Sequence, residues 1–140
     1  MSKIKKVKVV QLKGVYQRGD SSDATFGKCK GKTVLLGKGY ENGMVGLYIP
    51  VGTILSKDFV ENNECYKVRE HIDWNFKVVP FKVFGKKVKG LFLPLSCLYY
   101  TDGDLGAIKL GDSFTSFCGS KISVESSIPA VLDYIFGEKK

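Results

Sequence analysis

The sequence predicts an all-β fold, mainly strand with one or two short helices, arranged as a small closed or partly open barrel. Three observations lead there. Short runs of β-branched and aromatic residues alternate with glycine clusters, 16 glycines in 140 residues. A helical pattern occurs only over residues 129–136, with Pro129 at its start. A chain of this size forms one core, and closing the sheet removes edges that would otherwise pair with other chains.

The elements follow in order. Residues 4–16 mix Ile4, Val7, Val9, Val10, Leu12 and Val15 with lysines, as a strand with one exposed face does. Residues 17–23 are a polar loop. Ala24–Cys29 and Thr33–Leu36 read as strands around the turn Lys30-Gly31-Lys32, and Gly37–Gly43 as a further turn. Met44–Ile49 is a strand stopped by Pro50. The stretch Asp58–Asp73 is polar, with room for a helical turn or two. Phe76–Val79 and Phe81–Phe84 flank Pro80, which cannot donate to a ladder, so an edge strand or bulge is expected. Gly85-Lys86-Lys87 turns the chain into Val88–Leu93. The expected division is a barrel over 1–128 and a short C-terminal helix or tail over 129–140.

The net charge of +8 is unevenly spread. Residues 1–40 carry ten basic and two acidic side chains, and residues 76–90 carry Lys77, Lys82, Lys86, Lys87 and Lys89 with no acid. The intervening and final segments are mildly acidic. Clustered basic charge attracts polyanions, because neutralised phosphates release condensed counterions. Twenty of the 22 basic residues are lysine, a point charge suited to phosphate rather than to bidentate reading of base edges.

Most catalytic constellations are missing. His71 is the only histidine, in Arg69-Glu70-His71-Ile72-Asp73, and reads as a surface residue. Cys29, Cys65, Cys97 and Cys118 form no C-x-x-C pair and are expected as reduced, half-buried thiols. Gly37–Gly43 matches neither a dinucleotide fingerprint nor a P-loop, and Asp102-Gly103-Asp104 lacks the remaining ligands of a calcium loop. No catalytic residue, metal or cofactor is therefore expected. The longest apolar runs, such as Leu91–Leu95, are too short to span a bilayer, and no apolar stretch follows the basic start. A cytoplasmic protein without integral membrane association is expected.

Two stretches carry a family resemblance: Tyr40–Leu55, containing Tyr48-Ile49-Pro50, and Phe81–Ser96, containing Gly90-Leu91-Phe92-Leu93-Pro94-Leu95-Ser96. With Leu110–Thr115 they resemble the N-terminal OB-fold domain of an RNA ligase family in which a nucleotidyltransferase domain follows. The resemblance implies a small OB-fold-like Greek-key barrel that binds the ligase's nucleic-acid substrate. The family's Lys-x-Asp-Gly adenylation motif is absent. The nearest match, Tyr100-Thr101-Asp102-Gly103, has tyrosine where the nucleophilic lysine is required. The chain is thus expected to be a non-enzymatic module.

OB-folds bind single strands with a basic groove for phosphates and aromatic rings on which bases stack. The expected contacts to RNA or single-stranded nucleic acid are Lys28, Lys30, Lys32, Lys38, Tyr40, Phe81, Lys82, Phe84, Lys86, Lys87 and Lys89. Phe26 lies among the same lysines, and Trp74 and Phe76 adjoin the second basic block. The alternative is a protein-interaction module, such as a small inhibitor or adaptor (viral ones included) that reuses the fold.

Overall fold

The computed structural model describes residues 4–17, 25–36, 40–83 and 85–124. The expected helix at 129–136, Lys38 and Phe84 lie outside the described residues.

The chain is mainly β. β1 (Val7–Gln11) and β2 (Lys13–Gln17) are one run of sequence broken at Leu12. β3 (Thr25–Cys29) and β4 (Lys32–Leu36) form a tight hairpin whose central residues, Lys30 and Gly31, both have positive φ. That conformation matches the twist of the flanking strands. β5 (Val45–Ile49) ends at Pro50, and β6 (Ile54–Leu55) leads into helix α1 (Lys57–Asn62). Two short 3-10 turns, Glu64–Tyr66 and Val68–His71, follow the helix. β7 (Phe81–Val83) and β8 (Lys86–Val88) are a second hairpin, and β9 (Leu91–Pro94) runs into a 3-10 segment at Leu95–Thr101. β10 (Ser113–Phe114), β11 (Ser116–Phe117), β12 (Ser120–Lys121) and β13 (Ser123–Val124) are two-residue strands.

The main sheet has the order β10-β1-β5-β9, all neighbours antiparallel. A second sheet is β2-β3-β4, and β7-β8 stands as its own ribbon. The split at Leu12 has a local cause. Leu12 is fully buried, Gly14 has φ +62, and the β2–β3 register slips between Lys13 and Tyr16. A bulge there bends one strand so that its halves serve two sheets. The sheets do not join into a closed ladder. β4 and β9 lie side by side without pairing; just ahead of β9 the Lys89 N–H donates to the Thr33 carbonyl of β4 at 2.8 Å.

The largest core lies between the main sheet and α1, where Leu47, Ile49, Leu55, Phe59, Leu93 and Leu98 are all buried. α1 starts at Ser56, whose Oγ accepts the Phe59 N–H at 3.1 Å and donates to the Lys121 carbonyl at 2.6 Å. The same hydroxyl thus caps the helix and ties it to β12. A second cluster holds Leu12, Cys29, Val34, Tyr48 and Phe92. The third is small: Phe26 and Val88, with Leu35, Phe81 and Val83 packed against them. All four cysteines are free. Cys29 and Cys97 are buried, whereas Cys65 and Cys118 are exposed rather than half-buried.

Candidate nucleic-acid interface

The β7–β8 ribbon is laid over the outer face of β2-β3-β4. Directly opposed residues share a face, so the register Phe81↔Val88, Lys82↔Lys87, Val83↔Lys86 sorts the hairpin into two sides. Phe81, Val83 and Val88 pack toward Phe26 and Leu35. Lys86, on the same side, reaches the edge of the cluster, where its Nζ stands 5.8 Å from the centre of the Tyr16 ring. Tyr16 in turn packs on Phe26 at 5.6 Å. Lys82 and Lys87 are left on the other side, exposed and facing each other across the ribbon.

A second like-charged pair lies in the sheet beneath. Lys13 and Lys28 are register partners across β2 and β3. Lys28 also pairs with Thr33, the residue that the Lys89 backbone bonds, so Lys28 and Lys89 come to neighbouring positions. Lys30 and Lys32 sit exposed at the β3–β4 turn. Like charges set directly opposite one another on a sheet cost stability. Among the described residues the ion pairs are Lys57–Glu61 and Arg69–Glu64, and neither involves a lysine of these hairpins.

Fold geometry fixes Lys89 tightly. Its carbonyl accepts the Tyr48 hydroxyl at 2.8 Å. The next residue, Gly90, has φ +110, and a Cβ there would lie 2.6 Å from the Tyr48 ring. Only glycine meets both demands.

Where β4 and β9 fail to pair, a groove of about 700 Å³ opens. One wall is Leu35, Leu36 and Tyr40, with Thr25 behind; the other is Leu91 to Pro94 of β9. Its far side is the pair of 3-10 turns, through Tyr66, Lys67, Glu70 and His71. Tyr40 is half-buried and meets Phe92 edge-on at 5.9 Å. Burial pushes its phenol up to about 12, with Tyr66 and two cysteines adding to the effect, so it remains a hydrogen-bond donor at neutral pH.

His71 corrects the sequence reading. It is not a surface residue but only 4% exposed, because Phe81 packs edge-on against it at 5.2 Å. Its Nδ1 is buried with no hydrogen-bond partner among the described residues. Desolvation lowers its pKa below the ordinary imidazole range, opposed by the charge of Glu70, so the ring is neutral near pH 7.

The expected contact residues therefore divide. Lys28, Lys30, Lys32, Lys82, Lys87 and Lys89 are exposed on the two hairpins, and Lys86 is half-buried beside them. Tyr40 belongs to the groove. Phe81 is half-buried and shared between the small core and His71. Phe26, fully buried, offers no face to a ligand. Trp74 is 79% exposed on the turn that Asp73 organises by accepting the N–H groups of Asn75 and Lys77. Sequence reasoning missed Tyr16 and the groove residues of 65–71. In the Tyr100–Gly103 stretch, Thr101 is buried and Asp102 adopts a left-handed turn. No group of three potential metal ligands occurs among the described residues, and none of their helices is long and apolar enough to cross a membrane.

No family model matches the chain, and no curated protein does. Solved structures do. A mutant of Naegleria gruberi RNA ligase with ATP and Mn superposes with a TM-score of 0.64, at 18% identity, over 84% of this chain and 34% of that one. A second mutant of that ligase with ATP and Mn gives a TM-score of 0.60 at 17% identity, covering 76% and 31%. The ligase with PPi gives 0.58 at 17% identity over the same shares. The chain spans about a third of the length of the structures it matches, and what it shares with them is the fold of one part of an RNA ligase.

Proposed function

We propose that the chain is an OB-fold-like, non-catalytic module that binds RNA or another single-stranded nucleic acid through its two lysine hairpins. The strand order supports the fold assignment. Taking β1 and β2 as one bent strand, the neighbours run β4-β3-(β2/β1)-β5-β9, the order of a five-stranded, partly open Greek-key barrel whose last seam is unlaced. The likeness to part of an RNA ligase supports the choice of ligand class.

The observation that carries the binding proposal is the pairing of Lys13 with Lys28 and of Lys82 with Lys87, with no carboxylate among the described residues in an ion pair with either. A polyanion would relieve both repulsions at once. Binding dominated by phosphate contacts is tolerant of sequence and falls steeply with salt, by a log–log slope of about 0.7 per phosphate neutralised on a single strand. Fluorescence anisotropy with single-stranded RNA, single-stranded DNA and duplexes at several salt concentrations tests this. Binding that weakens with salt, and is lost when Lys82, Lys87 and Lys89 are replaced by glutamate, supports the proposal. No binding to any strand at low salt ends it. Recovery of a stoichiometric protein after nuclease treatment, dependent on the exposed Trp74 rather than on the lysines, would instead favour a protein-interaction module.

A further inference from the structure

We propose that the groove between β4 and β9 receives one flat nucleobase, carried either by a free nucleotide or by an unstacked residue of a bound strand. The strand-borne case rests on the lysine-hairpin reading above; the free-nucleotide case does not.

Size and lining both fit. About 700 Å³ lies within the usual range of small-molecule sites, and the walls supply flat apolar contact from Leu35, Leu36 and Leu91. Thr25, Tyr40, Cys65, Tyr66 and His71 also line this space; the Tyr66 hydroxyl is already bonded to Ser96, and two of the others matter for recognition. His71 is more than nine-tenths buried, and its Nδ1 has no partner among the described residues. Buried polar groups in folded proteins are nearly always hydrogen-bonded; the His71 Nδ1 is closed to solvent, so a base would engage it through a small turn of the ring toward the groove. The other is Tyr40, whose hydroxyl remains a donor. A neutral donor and a neutral imidazole complement the edge of a base better than they do a carboxylate. The charged groups, Lys67 and Glu70, are exposed at the rim.

Placement points to the same ligand. β4 carries Lys32 at one end and the groove residues Leu35 and Leu36 at the other, about 10 Å apart at the rise of a strand. His71, on the far side, packs on Phe81, the first residue of the second lysine hairpin. A base held in the groove therefore lies near the start of the second hairpin and one strand length from Lys32 of the first.

The test uses the full chain labelled with nitrogen-15 and three probes: the four ribonucleoside monophosphates, a single-stranded RNA hexamer, and the same hexamer with one abasic position. Nucleotides should shift the amides of Tyr66, Lys67, Glu70 and His71. Tyr40→Phe, which removes only a hydroxyl, should weaken nucleotide binding about tenfold, the equivalent of one hydrogen bond. His71→Phe, which keeps a ring against Phe81, should weaken it similarly, provided the amide spectrum remains folded. Groove shifts with nucleotides but no hexamer binding would identify the free nucleotide as the ligand and defeat the hairpin reading alone. Hexamer binding that leaves the groove amides unmoved and is indifferent to the abasic position would overturn the groove proposal and spare the hairpins. Unchanged nucleotide binding in Tyr40→Phe and a folded His71→Phe would overturn it as well.

Discussion

The two sheets of this protein handle charge and burial in opposite ways. The main sheet, β10-β1-β5-β9, is backed by α1 and the largest buried cluster, and the two ion pairs among the described residues, Lys57 with Glu61 and Arg69 with Glu64, lie on α1 and the turns after it. The sheet β2-β3-β4 buries one face in the second cluster, with Cys29, Val34 and Leu36, and its other face under the β7–β8 ribbon in a small cluster centred on Phe26 and Val88, and here lysine is set against lysine twice. The larger buried cluster is in the first region. The facing lysines of the second cost stability that a bound polyanion would relieve, which is why the functional proposal belongs there.

The largest effect should come from the first region. Phe59 is fully buried between α1 and the main sheet. Phe59→Ala should cost about 3–5 kcal/mol in a urea melt, the usual range for removing a buried aromatic ring. Because both regions share β1 and β2, that loss should also abolish nucleic-acid binding through unfolding. A variant that still binds at full affinity after losing that much stability would mean that the lysine hairpins fold on their own.

Gly90 sits at the joint between the ribbon and β9. Gly90→Ala must hold a non-glycine residue at φ +110 and displace the Tyr48 ring, whose hydroxyl anchors the Lys89 carbonyl. A loss of about 2–3 kcal/mol is expected, most of it backbone strain. Amide exchange at Lys89 should accelerate more than at Leu47. Equal acceleration at both would mean that the two regions open together.

His71 makes the comparison depend on pH. Its folded pKa lies below the unfolded value of 6.5, so the unfolded chain binds a proton that the folded chain refuses. Stability should therefore be full above about pH 7 and fall as pH drops below 6.5, with His71→Phe removing that part of the acid sensitivity. Melting temperatures between pH 5 and 8 check it, and identical profiles for both proteins would show that His71 is not kept neutral. At the alkaline end Cys29 has the opposite sign: burial raises its thiol from 9.0 to about 12. Stability should decline as pH rises from 9 toward 12, and Cys29→Ala should flatten that decline.

Local sequence revealed the parts of the fold that are local. Alternation around Lys30-Gly31 and the stop at Pro50 mark β3, β4 and β5 to within a residue or two. The helical turn or two expected within Asp58–Asp73 is there, but the bounds Lys57–Asn62 were not legible, because six residues with only Phe59 and Val60 buried show no period. The break at Leu12 needs the β2–β3 register, which residues 4–16 alone do not contain. At the site, charge made the exposed lysines legible, since a lysine belongs outside in nearly any fold. The groove was not legible, because a seam between β4 and β9 is a property of two distant segments. His71 illustrates the same limit. Its neighbours Arg69 and Glu70 are exposed, and what buries it is Phe81, ten residues on.

The smallest predicted effect is the sharpest, because it differs in sign between stability and binding. Lys87→Glu turns the Lys82–Lys87 repulsion into an attraction and should raise stability by about 0.2–1 kcal/mol. The same change replaces a phosphate-binding charge by a repelling one, so affinity for single-stranded RNA should fall several-fold, with a shallower salt dependence. Lys13→Glu, opposite Lys28, should behave alike. In the other region Lys57→Ala breaks an exposed ion pair on α1, which should lower stability by no more than about 0.5 kcal/mol and leave binding unchanged. Denaturant melts and anisotropy at one ionic strength compare all three. If Lys87→Glu lowered stability and affinity together, the facing lysines would be supporting the ribbon, and the contrast between a stabilising sheet and a binding sheet would fail.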